Sequence, residues 1–397
     1  MKKFPELKWL LSGLYGLVMM EVIIMVSPFA FYWYSVYGPT LQGLQRWRTT
    51  AWLDAFFLSH SVITTSPVLE FLRWQVGTYC FSLGIIGFLI CAAQVYGSKL
   101  FRFGLVRSWV YSRIRHPQYL CLTIAGFGLI TMWPRVIVLV LYAGMLFMYY
   151  FLARFEEKQM EAKYPDYAEY RRRTAMFLPG NPGGKVFQIV FGWIPNRSLS
   201  LGALSAVVAV LVIAGGLSLR KYMIGHTATG LFPADRTLAI AIWPVPNDTI
   251  QQIVLVALQA EQVRSALEQE PGAVFTAHLL PADYSMVDMF ADVGTDHHMF
   301  SDMSPYRFRY LGGLIFPFLR RHHRTRMMGT PQENYKVIFS RVDGPDRRPV
   351  PLSDITSLEA KMTPVVIADI GGEHPTLQNV VVPSRHSFWG DITMPMF

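Results

Sequence analysis

The chain has 397 residues, 52% of them hydrophobic, 14% aromatic and only 16% charged, against roughly a quarter charged in a typical soluble protein. The apolar residues are bunched into long runs, which excludes a disordered chain, a collagen-like fibre and a wholly soluble globule. Lysine and arginine outnumber aspartate and glutamate 36 to 27, a net charge of +9; in so apolar a chain that excess points to an anionic membrane surface rather than to nucleic acid.

A helix crosses a bilayer core with about 20 apolar residues. Residues 9–31, 76–96, 117–133, 136–153 and 199–219 supply such runs, so five crossings are expected. Lys2, Lys3 and Lys8 precede the first run and no small-residue cleavage site follows it, so that helix is expected to stay as an anchor. Its one charge, Glu21, sits mid-membrane and is read either as functional, or as protonated or paired to a polar group on another helix. Residues 32–75 form an aromatic loop (Trp33, Trp47, Trp52, Phe56, Phe57, Trp74), read as a headgroup-level belt in preference to a lipid-binding lid.

Only Pro134 and Arg135 separate the third and fourth runs, which leaves room for nothing but an antiparallel helical hairpin. Residues 186–195 are apolar but too few to cross, and are expected in the interface or as a re-entrant piece. Lys99, Arg102, Arg107, Arg113 and Arg115 precede the hairpin, and Arg154, Lys158, Lys163 and Arg171, Arg172 and Arg173 follow it. With the N-terminal lysines, this bias puts the N-terminus and both basic stretches in the cytoplasm of a cell-inner-membrane protein and carries the tail to the opposite side. The small residues of the fifth run (Gly202, Ala203, Ala206, Ala209, Ala214, Gly215, Gly216) permit close helix contact.

From residue 221 the composition turns soluble. Strands are expected at 237–245, 272–280, 335–342 and 363–370, and a helix from Asp248 to Glu268. The fold class is thus a multi-pass α-helical membrane bundle, residues 1–220, followed by a soluble α+β domain, residues 221–397. Cys80, Cys91 and Cys121 all lie in or beside apolar runs, so neither a disulfide framework nor a cysteine zinc site can be built. The tail histidines (His278, His297, His298, His322, His323, His374, His386) and the nearby Asp292, Asp296 and Asp302 match no standard metal spacing, and no metal is assigned. The basic run at residues 320–326 is read as a surface facing lipid headgroups or a partner subunit.

The chemistry concentrates at 113–180. The stretch opens with Arg113-Ile114-Arg115-His116-Pro117-Gln118-Tyr119 at the head of the hairpin, and Glu156-Glu157 and then Tyr167-Ala168-Glu169-Tyr170-Arg171-Arg172-Arg173 follow the second hairpin helix. Both ends of an antiparallel hairpin lie at one membrane face, so His116 should neighbour Glu156 and Glu157. Pro117 can open a helix, since its missing N–H has no partner in the first turn, and this leaves His116 just outside. An imidazole, carboxylates, phenols and guanidiniums make a pocket suited to a zwitterion. S-adenosyl-L-methionine, with its ammonium, carboxylate, sulfonium and adenine, would find a partner for each.

Arg-His-Pro-x-Tyr, a hairpin, Glu-Glu, Tyr-x-x-Tyr and a closing Leu178-Pro179 together resemble the isoprenylcysteine carboxyl methyltransferase and phospholipid methyltransferase superfamily, over about residues 76–180. The resemblance implies an integral-membrane enzyme that uses S-adenosyl-L-methionine without a dinucleotide-binding sheet. It implies that His116, Pro117 and Tyr119 line the cofactor pocket, that Glu156 or Glu157 binds the cofactor's ammonium, and that Tyr167 and Tyr170 close the pocket. Arg172 or Arg173 would lie near the acceptor's polar end, and Arg154, the cation nearest the Glu pair, is expected to orient an anionic acceptor. The chain departs from the family at Tyr164-Pro165-Asp166-Tyr167, one residue shorter than the usual Phe-Gly-x-x-Tyr, and at Ala175-Met176, where Pro-Arg is frequent. The implied acceptor is amphiphilic, a lipid-like carboxylate or amine. The rival reading is a non-catalytic scaffold in a membrane assembly, with residues 221–397 docking a protein partner.

Overall fold

The structure, a computed structural model, describes residues 47–58, 62–101, 103–132, 134–281, 334–344, 348–371 and 374–382, together with positions 13, 43 and 44. The expected first crossing with Glu21, the N-terminal lysines, Trp33, the basic run at 320–326 and the metal-type residues His297, His298, His322, His323, His386, Asp292, Asp296 and Asp302 lie outside the described residues.

In chain order the elements are α1 (Arg48–Asp54), α2 (Pro67–Glu70), a π-helical turn (Phe71–Val76), α3 (Gly77–Leu100), a short 3-10 turn (Trp109–Ser112), α4 (Pro117–Met132), α5 (Val136–Lys163), α6 (Tyr167–Arg173), α7 (Pro182–Phe191) and α8 (Arg197–Gly225). There follow β1 (Thr229–Phe232), β2 (Thr237–Ala241), α9 (Asn247–Gln259), α10 (Glu261–Glu268), β3 (Val274–Pro281), β4 (Asn334–Asp343), β5 (Lys361–Gly371) and β6 (Thr376–Val381). Three helices among the described residues are long and apolar enough to cross a membrane: Pro67–Ser98, Val136–Lys163 and Arg197–Gly225. The first hairpin helix, α4, has 16 residues, shorter than those three.

The chain forms two compact units. Leu72–Trp133 and Ile137–Gly216 belong to one, and Pro134–Val136, Leu217–Phe397 and Met20–Phe71 to the other.

In the first unit, α3 and α4 meet through glycine. A Cβ at Gly84 would come within 2.5 Å of the Ala125 backbone nitrogen, so only glycine permits this approach. Helices α4 and α5 run antiparallel and pack through large side chains instead. Tyr142 donates its hydroxyl to the Thr123 carbonyl at 2.7 Å, and the rings of Tyr119 and Tyr149 stack with centroids 5.1 Å apart. This is the hairpin that the Pro134-Arg135 junction implies.

The second unit is a six-stranded sheet in the order β1-β2-β3-β4-β5-β6. All neighbours are antiparallel except β2 and β3, which are parallel and joined through α9 and α10. A parallel pair needs a crossover of this kind, because no tight turn can reverse the chain twice. The two helices bury Ile253, Val254 and Val263 against Ala239, Ala277, Leu279, Phe339 and Val366 on one face of the sheet. The expected strands and helix are present, with Asn247 rather than Asp248 opening the helix and a break at Ala260 dividing it. Strands β1 and β6 were not foreseen: each is a short edge strand with several exposed positions, and such strands lack a strong apolar alternation.

Two buried guanidiniums organise the remainder of this unit. Arg135 pairs with Asp54 and also donates to the Asp54 carbonyl, while its guanidinium lies 4.5 Å from the centre of the Phe56 ring. Arg220 donates to the carbonyls of Phe56 (2.6 Å) and Thr356 (2.8 Å). Phe56 and Phe57, expected in a headgroup belt, are therefore buried in protein, whereas Trp47 is exposed. Arginine suits this use because its five donors can satisfy several carbonyls at once.

On the other face of the sheet, Ile240, His278, Ile338 and Ile367 form a cross-strand row. His278 is fully buried, and neither ring nitrogen has a hydrogen-bond partner among the described residues. Burial disfavours the imidazolium and pushes its pKa down from 6.5 to about 3. The folded state thus binds this proton more weakly than the unfolded chain, so stability declines as pH falls below about 6.5, by up to about 1.4 kcal/mol per pH unit. His278→Leu removes both the acid dependence and an unsatisfied buried polar group. Denaturant titrations of the full chain should show the variant gaining more over wild type at pH 5 than at pH 7.5.

Candidate functional site

The hairpin register that opposes Tyr119 to Tyr149 carries His116 to the two glutamates near the far end of α5. His116 Nδ1 lies 3.6 Å from Glu156 Oε2, and His116 Nε2 lies 3.6 Å from Glu157 Oε1. The two carboxylates differ in setting. Glu157 is 2% exposed and Glu156 25% exposed, so one is sealed and the other opens outward.

Glu157 is sealed by Arg115. Arg115 Nε donates to Glu157 Oε1 at 2.7 Å, both side chains being almost fully buried. The same guanidinium donates through Nη1 to the carbonyls of Arg171 (2.9 Å) and Thr174. Backbone bonds run alongside: Arg115 N–H donates to Ala175 (2.9 Å), His116 N–H to Met176 (3.1 Å) and Ala175 N–H to Arg113 (3.0 Å). Residues 113–116 and 174–176 are thereby joined in a short strand-like bridge, with Ile114 opposite Ala175. Arg115, the first residue of the Arg-His-Pro-x-Tyr motif, and Thr174 join this cluster, although the sequence singles out neither as a site residue.

Helix α6 is held over this bridge from the other side. Tyr170 donates its hydroxyl to the Tyr111 carbonyl at 2.6 Å, and Arg107 pairs with Asp166 at 2.9 Å. That contact holds the Asp166 carboxyl below its usual range. Tyr167 is buried, and burial pushes its phenol well above its ordinary pKa, so it acts as a neutral group.

Aromatic surfaces line the rest. His116 stacks on Tyr119 with centroids 5.6 Å apart, and Phe177 flanks it at 6.1 Å. Pro117 is buried at the head of α4. His116, Pro117, Tyr119, Glu156, Glu157 and Tyr167 thus belong to one cluster. Tyr170 lies at its margin, its hydroxyl directed to the 107–111 loop. Of the three arginines singled out, Arg154 is half-buried on α5, two residues before Glu156. Arg172 is exposed, and Arg173 is exposed and paired with Glu169 one turn back on α6. Arg171 pairs with Glu161 and comes within 3.9 Å of Glu157 Oε2. Among the described residues, no group of three or more His, Cys, Asp or Glu side chains is arranged to hold a metal ion.

A sequence model of the phospholipid methyltransferase family matches residues 74–167, which include the hairpin, His116 and both glutamates. The cobalt-zinc-cadmium resistance protein CzcN of Cupriavidus metallidurans is 37% identical over 148 residues, covering 32% of this chain and 67% of that protein. The nickel-cobalt-cadmium resistance protein NccN of Alcaligenes xylosoxydans xylosoxydans is 30% identical over 140 residues, covering 35% of this chain and 57% of that protein. No solved structure matches the chain at a significant level.

If Arg115 neutralises Glu157 as the geometry indicates, Arg115→Met strands a buried carboxylate and should destabilise the chain by about 3–5 kcal/mol. The double variant Arg115→Met with Glu157→Gln should recover part of that loss, because no buried charge is left unpaired. Thermal melts of the purified chain in detergent, run as a double-mutant cycle, test this coupling.

Proposed function

Because the chain belongs to the phospholipid methyltransferase family, we propose that it transfers a methyl group from S-adenosyl-L-methionine to an amphiphilic acceptor at the membrane, a lipid-like carboxylate or amine. The observation that supports this most is the placement of His116 between a sealed and an open carboxylate at 3.6 Å each. The donor set fits a zwitterionic, adenine-bearing cofactor. Glu156 would pair with its ammonium, and His116, Tyr119 and Phe177 offer flat surfaces for the adenine or the sulfonium. When bound, the cofactor supplies an electrophilic methyl group on sulfur.

The chain's own residues then have separate tasks. Arg115 and Glu157 hold His116 and the 174–176 segment in position. Arg154 and Arg172 would orient the acceptor's anionic end, with Arg173 close by in sequence. An acceptor carboxylate needs orientation and partial loss of water but no base. An acceptor amine needs a group to take its proton, and Glu156 or His116 is within the cluster to do so. Tyr167 and Tyr170, held by α6, would cover the pocket.

In this reading the chain is an integral membrane protein with its site and N-terminus at the cytoplasmic face of the inner membrane. Five crossings carry residues 221–397 to the opposite side, where that domain would meet a protein partner.

A second reading is favoured by the two relatives, both named for resistance to divalent metals. Here the hairpin fold serves as a scaffold in a metal-resistance assembly and transfers nothing. Calorimetric titration separates the two. Wild type should bind S-adenosyl-L-methionine, Glu156→Gln should bind it about ten- to a hundredfold more weakly, as loss of a hydrogen bond to a charged group implies, and Arg173→Ala should bind it normally. Equal affinity in wild type and Glu156→Gln would discard the pocket assignment, and no binding by wild type would favour the scaffold. Label from methyl-tritiated cofactor, counted across fractions of a lipid extract, identifies the acceptor.

A further inference from the structure

Helix α7 carries an apolar stripe that no described residue of its own unit covers. Val186, Ile189, Val190 and Trp193 fall at positions i, i+3, i+4 and i+7, the last in the turn that continues the helix, and all four are exposed, Ile189 by 81% and Trp193 by 77%. This spacing puts them on one face. The helix has a second, separate apolar face: Phe187 and Phe191, with ring centroids 5.7 Å apart, are turned about 100–150° away from the stripe by the helical period, and Phe191 is buried. Lys185 and Gln188 occupy the remaining sector and are exposed. The protein therefore packs α7 by its two phenylalanines and leaves the stripe for another medium.

The chain fixes the height at which α7 must lie. The membrane-crossing helix α8 begins at Arg197, four residues after Trp193, a reach of at most about 14 Å. On the other side, Met176 is hydrogen-bonded to His116 at the head of α4, and Asn181, in the left-handed conformation that asparagine tolerates (φ 48°), turns the chain into Pro182 at the first helical position. Both ends of α7 are thus tied to the ends of membrane-embedded helices. With 10 residues, or about 15 Å, the helix is too short to cross. Its surroundings are basic. Between residues 163 and 197 the basic Lys163, Arg171, Arg172, Arg173, Lys185 and Arg197 outnumber the acidic Asp166 and Glu169, with Arg171 paired to Glu161 and Arg173 to Glu169. Trp193 is a residue type that anchors at the water–lipid boundary.

We propose that α7 is an interfacial anchor that lies flat on the bilayer, with Val186, Ile189, Val190 and Trp193 sunk into the boundary between acyl chains and anionic headgroups. A helix with one lipid-facing stripe, a basic flank and a tryptophan at its end binds in this way. Leu178 to Asn181 are all that separate α7 from Phe177, which flanks His116, so the anchor sets the depth of one wall of the cluster. The anchoring does not depend on whether methyl transfer occurs.

Nitroxide labels placed singly at 185, 186, 188 and 189, in the full chain with its three cysteines replaced by alanine and reconstituted in phosphatidylcholine–phosphatidylglycerol nanodiscs, test it. Collision rates with oxygen, which concentrates in lipid, are compared with those of a water-soluble nickel chelate. Positions 186 and 189 should favour oxygen and 185 and 188 the chelate, reversing the sign of the depth parameter within one helical turn. Chelate access at 189 equal to that at 185 would overturn the proposal. A label at 189 reached by neither reagent would overturn it too, and would point to a second copy or another protein on the stripe. In the chain with its cysteines intact, brominated lipid should quench a component of tryptophan fluorescence that Trp193→Phe removes; an unchanged quenching curve counts against the anchor.

Discussion

The cluster around His116 depends on a single buried ion pair. A carboxylate as enclosed as Glu157 cannot stay charged without a cation beside it. The cation that meets it most closely is Arg115, at 2.7 Å against 3.9 Å for Arg171; its Nε meets the carboxylate while Nη1 turns to the Arg171 and Thr174 carbonyls. One guanidinium thereby satisfies a charge on α5, a carbonyl in the last turn of α6 and the carbonyl of Thr174 that follows it. Because Arg115 precedes His116, fixing the arginine also fixes the imidazole, and the backbone bonds from 115 and 116 to 175 and 176 complete the constraint. A lysine could not replace it, having no planar fork with which to reach both sides.

The parts of this arrangement that the sequence disclosed share a physical character. Apolar runs report helices because lipid and protein interiors both demand apolar length, so α3, α5 and α8 were legible, as was the hairpin from the shortness of its Pro134-Arg135 junction. The meeting of His116 with Glu156 and Glu157 followed from counting along that hairpin. Buried strands β2 to β5 were legible from β-branched and aromatic runs. What escaped was pairing that depends on tertiary contact. Arg115 has the composition of a topology charge, yet it is buried; the same is true of Arg135 and Arg220. A positive residue at a membrane face carries no local mark of whether it meets lipid headgroups or a carboxylate inside the protein. The bridge at 174–176 escaped for a related reason, since its three residues, Thr174, Ala175 and Met176, have no alternation that could announce a strand.

The tail shows the same limit from the opposite side. His278 looked like one of several potential metal ligands scattered through a histidine-rich stretch. In the sheet it occupies the centre of an isoleucine row, with its ring fully buried. A strand places every second residue on one face irrespective of polarity, and here the register assigns an imidazole to an apolar position. Its neutral form is enforced by burial, which would also make it a poor partner for any ligand arriving from water.

The difference between Glu156 and Glu157 bears on whether the family resemblance carries activity with it. The loop-closing ion pair runs through Glu157, so folding alone would preserve that residue in a chain that had lost all catalysis. Glu157, Arg115 and the 113–116 bridge accordingly weigh little in deciding between an enzyme and a scaffold. Glu156 stands differently. It opens outward beside His116 and Tyr119, away from the sealed pair, and a cofactor ammonium would engage that side. The methyltransferase reading is therefore only as strong as the role of Glu156, and a variant that spares the Arg115–Glu157 pair while removing the outer charge probes the chemistry without disturbing the fold that displays it.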